Sequence, residues 1–231
     1  MEIEKAISSC PNEIVAALTH AKMRIETYHK KQLPEDYDYV DEEGVNLGSR
    51  WTSMSSVGVY VPGGRASYPS SVLMNVVPAR VAGVERVVMV VPAPDGHLNS
   101  SVLAAASISG VDEIYRMGGA QAIGALAYGT ETIRPVDKIV GPGNAYVALA
   151  KRKVFGLVGI DMIAGPSEIT VVADKKSKIK SVITSLIGQA EHDPNSQCII
   201  ISKDIEVLKK VKKLIKLNLK NLPKKKLQRK V

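Results

Sequence analysis

From residue 57 onward, short apolar runs alternate with longer segments whose apolar positions recur every three or four residues. Val57-Gly58-Val59-Tyr60-Val61 reads as a strand closed by Pro62-Gly63-Gly64, and a helix is expected from about Tyr68 to Ala82. Arg86 to Val91 is a nearly unbroken apolar, mostly β-branched stretch, the texture of a strand buried on both faces. Helices are expected over about Asn99–Ser109 and from Gly118-Gly119 to Tyr128, with a short strand near Asp112–Arg116 between them. Val136–Val140 gives another strand, and Gly141-Pro142-Gly143-Asn144 leads into a helix ending near Phe155. The pattern then runs strand (Ile169–Ala173), helix (Ile179–His192), strand (Cys198–Ser202) and amphipathic helix (Ile205–Leu219). In the last helix Ile205, Leu208, Val211 and Ile215 share a face. Strands alternating with helices of this length predict a parallel α/β architecture.

Before residue 57 the pattern is weaker. Residues 11–32 start with Pro11 at a first helical position and place Ile14, Leu18, Met23 and Ile25 among polar residues, a moderately amphipathic helix. Residues 33–56 are polar, with acidic positions from Glu35 to Glu43, and read as an irregular connector.

The 231 residues suffice for one large domain or two small ones, and a core of Val, Ile, Leu and Ala with only 4% aromatics suits helix-covered parallel strands. The formal charge of +8 suggests nucleic acid until it is localised. Lys203–Val231 holds 12 basic and two acidic residues, while the rest holds 19 basic and 21 acidic. A Lys-rich run without stacking aromatics reads as a solvated helix face or linker, so no nucleic-acid partner is expected. Cys10 and Cys198 fit no redox or metal spacing, and Cys198 reads as a strand thiol. The first residues lack a signal-peptide core and no apolar run is long enough for a bilayer, so a cytoplasmic protein without a membrane partner is expected.

Three glycine turns lie where strand passes to helix: Pro62-Gly63-Gly64-Arg65, Gly118-Gly119-Ala120-Gln121 and Gly141-Pro142-Gly143-Asn144. At such positions backbone N–H groups can approach a phosphate, and the helix dipole favours an anion. None matches G-x-G-x-x-G or the P-loop pattern, and each alone is equally a tight βα connection. Tyr60 can flank a cofactor ring or serve as a strand aromatic. Gln121 can face a ligand or only solvent, and Asn144 can face a ligand or cap its helix. Ala164-Gly165-Pro166-Ser167-Glu168 is a turn carrying a hydroxyl and a carboxylate. Gln189 and His192, three apart on a helix, can put a carbonyl oxygen and an imidazole nitrogen on one ion, which is half of a zinc shell. Glu191 between them points about 100° away from His192.

In this order the motifs resemble the histidinol dehydrogenase family. The resemblance rests on Val57–Gly64 with Tyr68-Pro69-Ser70-Ser71-Val72-Leu73-Met74-Asn75, and on Gly118-Gly119-Ala120-Gln121-Ala122. It continues through Asp137–Asn144, Asp161–Glu168 and Gln189-Ala190-Glu191-His192, and runs from about residue 12 to about 225. It implies NAD-dependent oxidation of L-histidinol to L-histidine through an aldehyde, in histidine biosynthesis, with zinc holding the substrate. By resemblance Tyr60, Gln121 and Asn144 would contact NAD, Ser167 would contact substrate, and Gln189 and His192 would bind both substrate and Zn. The implied fold is two incomplete Rossmann-like domains in an intertwined homodimer, residues 58–168 being inserted in a domain formed by 1–57 and 169–231. Family members run to roughly twice this length. The expectation is therefore a truncated chain without the Glu-His acid/base pair, inactive alone. The competing expectation is a catalytically dead α/β remnant that binds a nucleotide or a partner.

Overall fold

The computed structural model describes residues 7–63, 67–94, 96–163, 167–192 and 196–220, with the side chains of His192 and Lys220 excepted. Gly64 and Arg65, the Ala164-Gly165-Pro166 part of the Ser167 turn, Asp193-Pro194 and the Lys-rich end after residue 220 lie outside them. Two compact units divide the chain, Met1–Ala164 and Gly165–Val231.

The first unit is built on a five-stranded, all-parallel sheet. Its elements are α1 (Asn12–Lys30), β1 (Tyr37–Val40), β2 (Asn46–Ser49), β3 (Ser56–Tyr60), α2 (Pro69–Val81), β4 (Arg86–Val90) and α3 (Ser100–Ser109). They continue with β5 (Glu113–Tyr115), α4 (Gly119–Tyr128), β6 (Lys138–Val140), α5 (Ala145–Val154) and β7 (Gly159–Ile160). The strands lie in the order β5-β4-β3-β6-β7. Counted by their own sequence, that is third, second, first, fourth, fifth, the order of a dinucleotide-binding sheet. The order reverses between β3 and β6, which pair directly through Val57–Lys138, Gly58–Ile139 and Val59–Val140.

Strand pleating sends alternate residues to opposite faces, and both faces of β3 and β4 are buried. Val57, Val59, Val61, Val87, Met89 and Val91 pack under α2 and α3, with Val72, Leu73, Val76, Val77 and Val102 opposite them. Helix α1 packs on α2 and α3 from outside, with Leu18 buried. The other face carries Tyr60, Val88, Val90 and Ile139 under Ile123 and Leu126 of α4 and Val147 and Val154 of α5. Gly58 allows that closeness, because a Cβ there would sit 2.8 Å from Leu126 Cδ1. Each fully buried Val, Leu or Ile side chain contributes about 1.5–3 kcal/mol of transfer free energy, so the two layers hold the sheet against its helices.

The amino edge of this sheet is fastened by carboxylates that already have their partners. Asp137 Oδ2 accepts from the Ser56 backbone N–H at 2.7 Å and hydroxyl at 3.0 Å, joining β3 to β6. Asp112 Oδ2 accepts from Val87 N–H at 2.6 Å and pairs with Arg80. Glu113 meets Arg86 at 2.6 Å.

Residues 33–56, expected to be irregular, contain an antiparallel hairpin of β1 and β2. Asp41 Oδ1 closes its turn by accepting from the N–H groups of Glu43 (3.0 Å) and Val45 (2.8 Å). The hairpin escapes pattern reading because neither strand is buried, so no alternation is imposed on it. The two-residue β7 is too short for any periodic signal.

In the second unit, β8 (Glu168–Val172) and β9 (Gln197–Ile201) pair in parallel, with α6 (Ile179–His192) and α7 (Ile205–Lys220) on one face. Val182, Ile183, Leu186, Val207 and Val211 form the core with Ile169, Val171, Cys198 and Ile200.

Candidate functional site

In open parallel sheets ligands bind outside the carboxyl ends of the strands, at the point where strand order reverses. Here that point lies between the end of β3, Tyr60, and the turn after β6, Gly141–Asn144. Tyr60 is the hub. Its side chain is buried, and its hydroxyl accepts from the Gly119 backbone N–H at 3.0 Å, which fixes the start of α4. Its carbonyl faces Gly141, where a Cβ would lie 2.1 Å from that oxygen and where φ is +107°, so glycine is required on both counts. On the other side, Cβ atoms at Gly63 and Gly118 would lie 2.8 Å from Pro92 O and 2.4 Å from Pro92 Cγ. The glycine turns before α4 and after β6 thus close on Tyr60, and Gly63 and Gly118 close on Pro92.

Asn144 caps α5. Its Oδ1 accepts from the N–H groups of Tyr146 (3.0 Å) and Val147 (3.1 Å), and this orients its Nδ2 outward as a donor from an exposed position. Gln121 is exposed on the first turn of α4. The alternative structural roles of all three residues are therefore realised: Tyr60 is a buried strand aromatic, Asn144 is a helix cap and Gln121 is a surface residue. Gln121 and Asn144 keep their amides exposed at the carboxyl edge of the sheet.

The other three sequence-derived positions lie in the second unit. Ser167 is exposed just before β8, and its carbonyl accepts from Gln197 N–H at 3.3 Å. Gln189, half-buried near the end of α6, donates from Nε2 to Ser196 Oγ at 3.3 Å, and its carbonyl oxygen carries the lone pairs that could coordinate a cation. These contacts gather Ser167, Gln189 and the end of α6 at the amino edge of the β8–β9 pair. His192 is the last residue of α6, and its side chain lies outside the described residues. Among the described residues no group of three or more His, Cys, Asp and Glu is placed to hold a metal.

Pattern reading missed two residues at the crevice, Lys151 and Asp161. The Lys151 side chain is only 3% exposed, and its Nζ donates to Gly141 O at 3.1 Å and pairs with Asp161 Oδ1. Ten residues separate each from the next along the chain, a spacing with no local signature; only the fold brings them together. A cleft of about 600 Å³ on the α2 side, lined by Leu33, Trp51, Met54, Met74, Val140 and Asp161 among others, is equally illegible in the sequence.

Two perturbed acids of the first unit lie on β5. The Arg86 guanidinium beside Glu113 holds its carboxyl below the usual glutamate value, against the opposing effect of burial, with the Tyr115 hydroxyl assisting. That hydrogen bond to Glu113 in turn pushes the Tyr115 phenol up. Burial alone raises the Cys198 thiol, which donates to Leu186 O at 3.2 Å.

The family model for histidinol dehydrogenase matches residues 1–231, the whole chain. The chain belongs to the histidinol dehydrogenase family. It is 60% identical over 222 residues to histidinol dehydrogenase of Rhizobium meliloti (strain 1021), covering 96% of this chain and 51% of that protein. To histidinol dehydrogenase 1 of Nostoc sp. (strain PCC 7120 / SAG 25.82 / UTEX 2576) it is 62% identical over 200 residues, 87% of this chain and 46% of that one. The crystal structure of histidinol dehydrogenase from Elizabethkingia anophelis superposes with a TM-score of 0.90 at 38% identity, covering 98% of this chain and 53% of that chain. The chain spans about half the length of the curated relatives it matches. No helix among the described residues is long and apolar enough to cross a membrane.

Proposed function

We propose that this chain serves the NAD-dependent oxidation of L-histidinol to L-histidine, with its first unit binding NAD at the β3/β6 reversal. The observation that carries the reading is that Tyr60, at that reversal, meets the glycine turns before α4 and after β6, in a chain matched end to end by the family model. The N-terminus of α5, with the Tyr146 and Val147 N–H groups held by Asn144 Oδ1, turns the positive end of its dipole toward a phosphate. Asn144 holds that terminus in shape and donates from Nδ2, Gln121 presents its amide from α4, and Tyr60 fixes both turns. NAD, when bound, supplies the hydride acceptor.

Zinc is a partial fit. Gln189 and His192 give an O/N donor pair on one helix, and the Ser196 contact orients the Gln189 amide as outer partners orient metal ligands. A zinc site needs three or four protein groups, so no step is routed through the metal. Ser167, at the same edge as Gln189, is assigned to substrate. In the full-length protein we place an inserted domain over residues 58–168, flanked by 1–57 and 169–231 in the other domain. The division of this chain near residue 165 supports its second boundary, whereas residues 1–57 group with 58–164 in the first unit. A homodimer in the cytoplasm completes the proposal.

Loss of hydride from an alcohol requires loss of a proton to a positioned base. The remainder of the family polypeptide is assigned to supply that base. The test is NADH formation from L-histidinol, first with the purified chain and then with the carboxy-terminal half of the Rhizobium meliloti relative added. Turnover by the chain alone is expected to be depressed by about 10²–10⁴-fold or more and to be restored in trans. Full turnover by the chain alone would refute the assignment of the base. NAD binding without restored turnover would favour a nucleotide-binding module.

A further inference from the structure

We infer that the ion pair of buried Lys151 with exposed Asp161 is the positioning device of the crevice, gripping Gly141 by both of its backbone polar groups. Asp161 Oδ2 accepts from Gly141 N–H at 2.8 Å, while Lys151 Nζ donates to Gly141 O at 3.1 Å. The two side chains pair with each other through Asp161 Oδ1, which also accepts from Met162 N–H at 2.6 Å. Asp161 is itself moored to the sheet, its own N–H donating to Ile139 O at 3.3 Å. Lys151 comes from α5, the helix whose N-terminus the turn leads into.

A glycine at φ +107° against a neighbouring carbonyl has wide conformational freedom and would relax away if unheld. An ordinary turn would satisfy its N–H and C=O with backbone or water. Here both are taken by charged side chains, and charge-assisted hydrogen bonds are roughly twice as strong as neutral ones. The cost is a desolvated ammonium, an arrangement that is weak evidence for stability but sets geometry wherever both partners stay in place. What it sets is the path of Gly141–Asn144, and through Asn144 the N-terminus of α5. Lys151 and Asp161 act on a dinucleotide only through that turn, so they are positioning residues.

This inference rests on NAD occupying the β3/β6 crevice, so its test has two readouts. The first is amide hydrogen exchange at Gly141 in the unaltered protein and in D161N and K151M/D161N. The double variant removes both charges and leaves no unpaired ion buried. The second readout is NAD affinity by calorimetry, with R80M as a control that breaks an ion pair on the opposite sheet edge. The unaltered Gly141 amide should be protected. D161N and the double variant should speed its exchange and weaken NAD binding by about tenfold, while R80M, at comparable thermal destabilisation, changes neither. A Gly141 amide that exchanges freely in the unaltered protein overturns the inference, whether or not the variants fold. So does a folded double variant with unchanged Gly141 protection or, where the unaltered chain binds NAD, unchanged affinity. If the unaltered chain binds no NAD, the crevice reading fails, and the exchange of Gly141 still decides the clamp.

Discussion

The two units treat the same kind of strand in opposite ways. In the first, every residue of β3 is buried, and so are four of the five in β4, because helices cover both faces of the sheet. In the second, β8 and β9 alternate between exposed and half-buried residues, although Cys198-Ile199-Ile200-Ile201 is as continuously apolar as Val87–Val91. Val172 is 77% exposed and Ile201 is 54% exposed. Parallel sheets are normally covered on both faces, and two strands alone are marginal in water. A continuous apolar run therefore reports the cover a strand is written for, and only the first unit has that cover among the described residues. The first unit should consequently carry most of the chain's stability.

The sharpest contrast comes from truncating equivalent strand positions. Met89→Ala in β4 empties a fully buried site and should cost about 2–5 kcal/mol, read by denaturant unfolding. Gly141→Ala should cost about 1–3 kcal/mol from backbone conformation, and it also drives a methyl into the Tyr60 carbonyl. A loss smaller than that of an exposed-site control would break the account of the turn. A lesser effect is expected from acid. The folded-state value of Glu113 lies below its unfolded value, so its contribution is present above the unfolded value and is lost as pH falls through the folded one. Unfolding midpoints followed below the ordinary glutamate range should drop in the native chain and drop less in E113Q. Smallest of all, Ile201→Thr on the open face of β9 should change stability by less than about 0.5 kcal/mol. A cost like that of Met89→Ala would show that this face is covered after all.

Most of the architecture is legible in the amino-acid pattern alone. The βα alternation from residue 57 onward and the glycine turns follow from runs whose burial dictates their composition. The β1–β2 hairpin is not legible, since Tyr37, Tyr39 and Leu47 are exposed and answer to no core. At the site, Tyr60, Gln121 and Asn144 stand out because glycines mark their turns. The Tyr60–Gly119 hydrogen bond and the Lys151–Asp161 grip do not, because contacts between distant elements leave no spacing in the sequence.

Hydrogen exchange mapped along the whole chain with and without NAD tests the central claim most directly, that the finished first unit holds the dinucleotide at the β3/β6 reversal. The account predicts added protection at residues 118–121 and 141–147, with residues 167–220 unchanged. Protection confined to the second unit, or none in the first at saturating NAD, would contradict it.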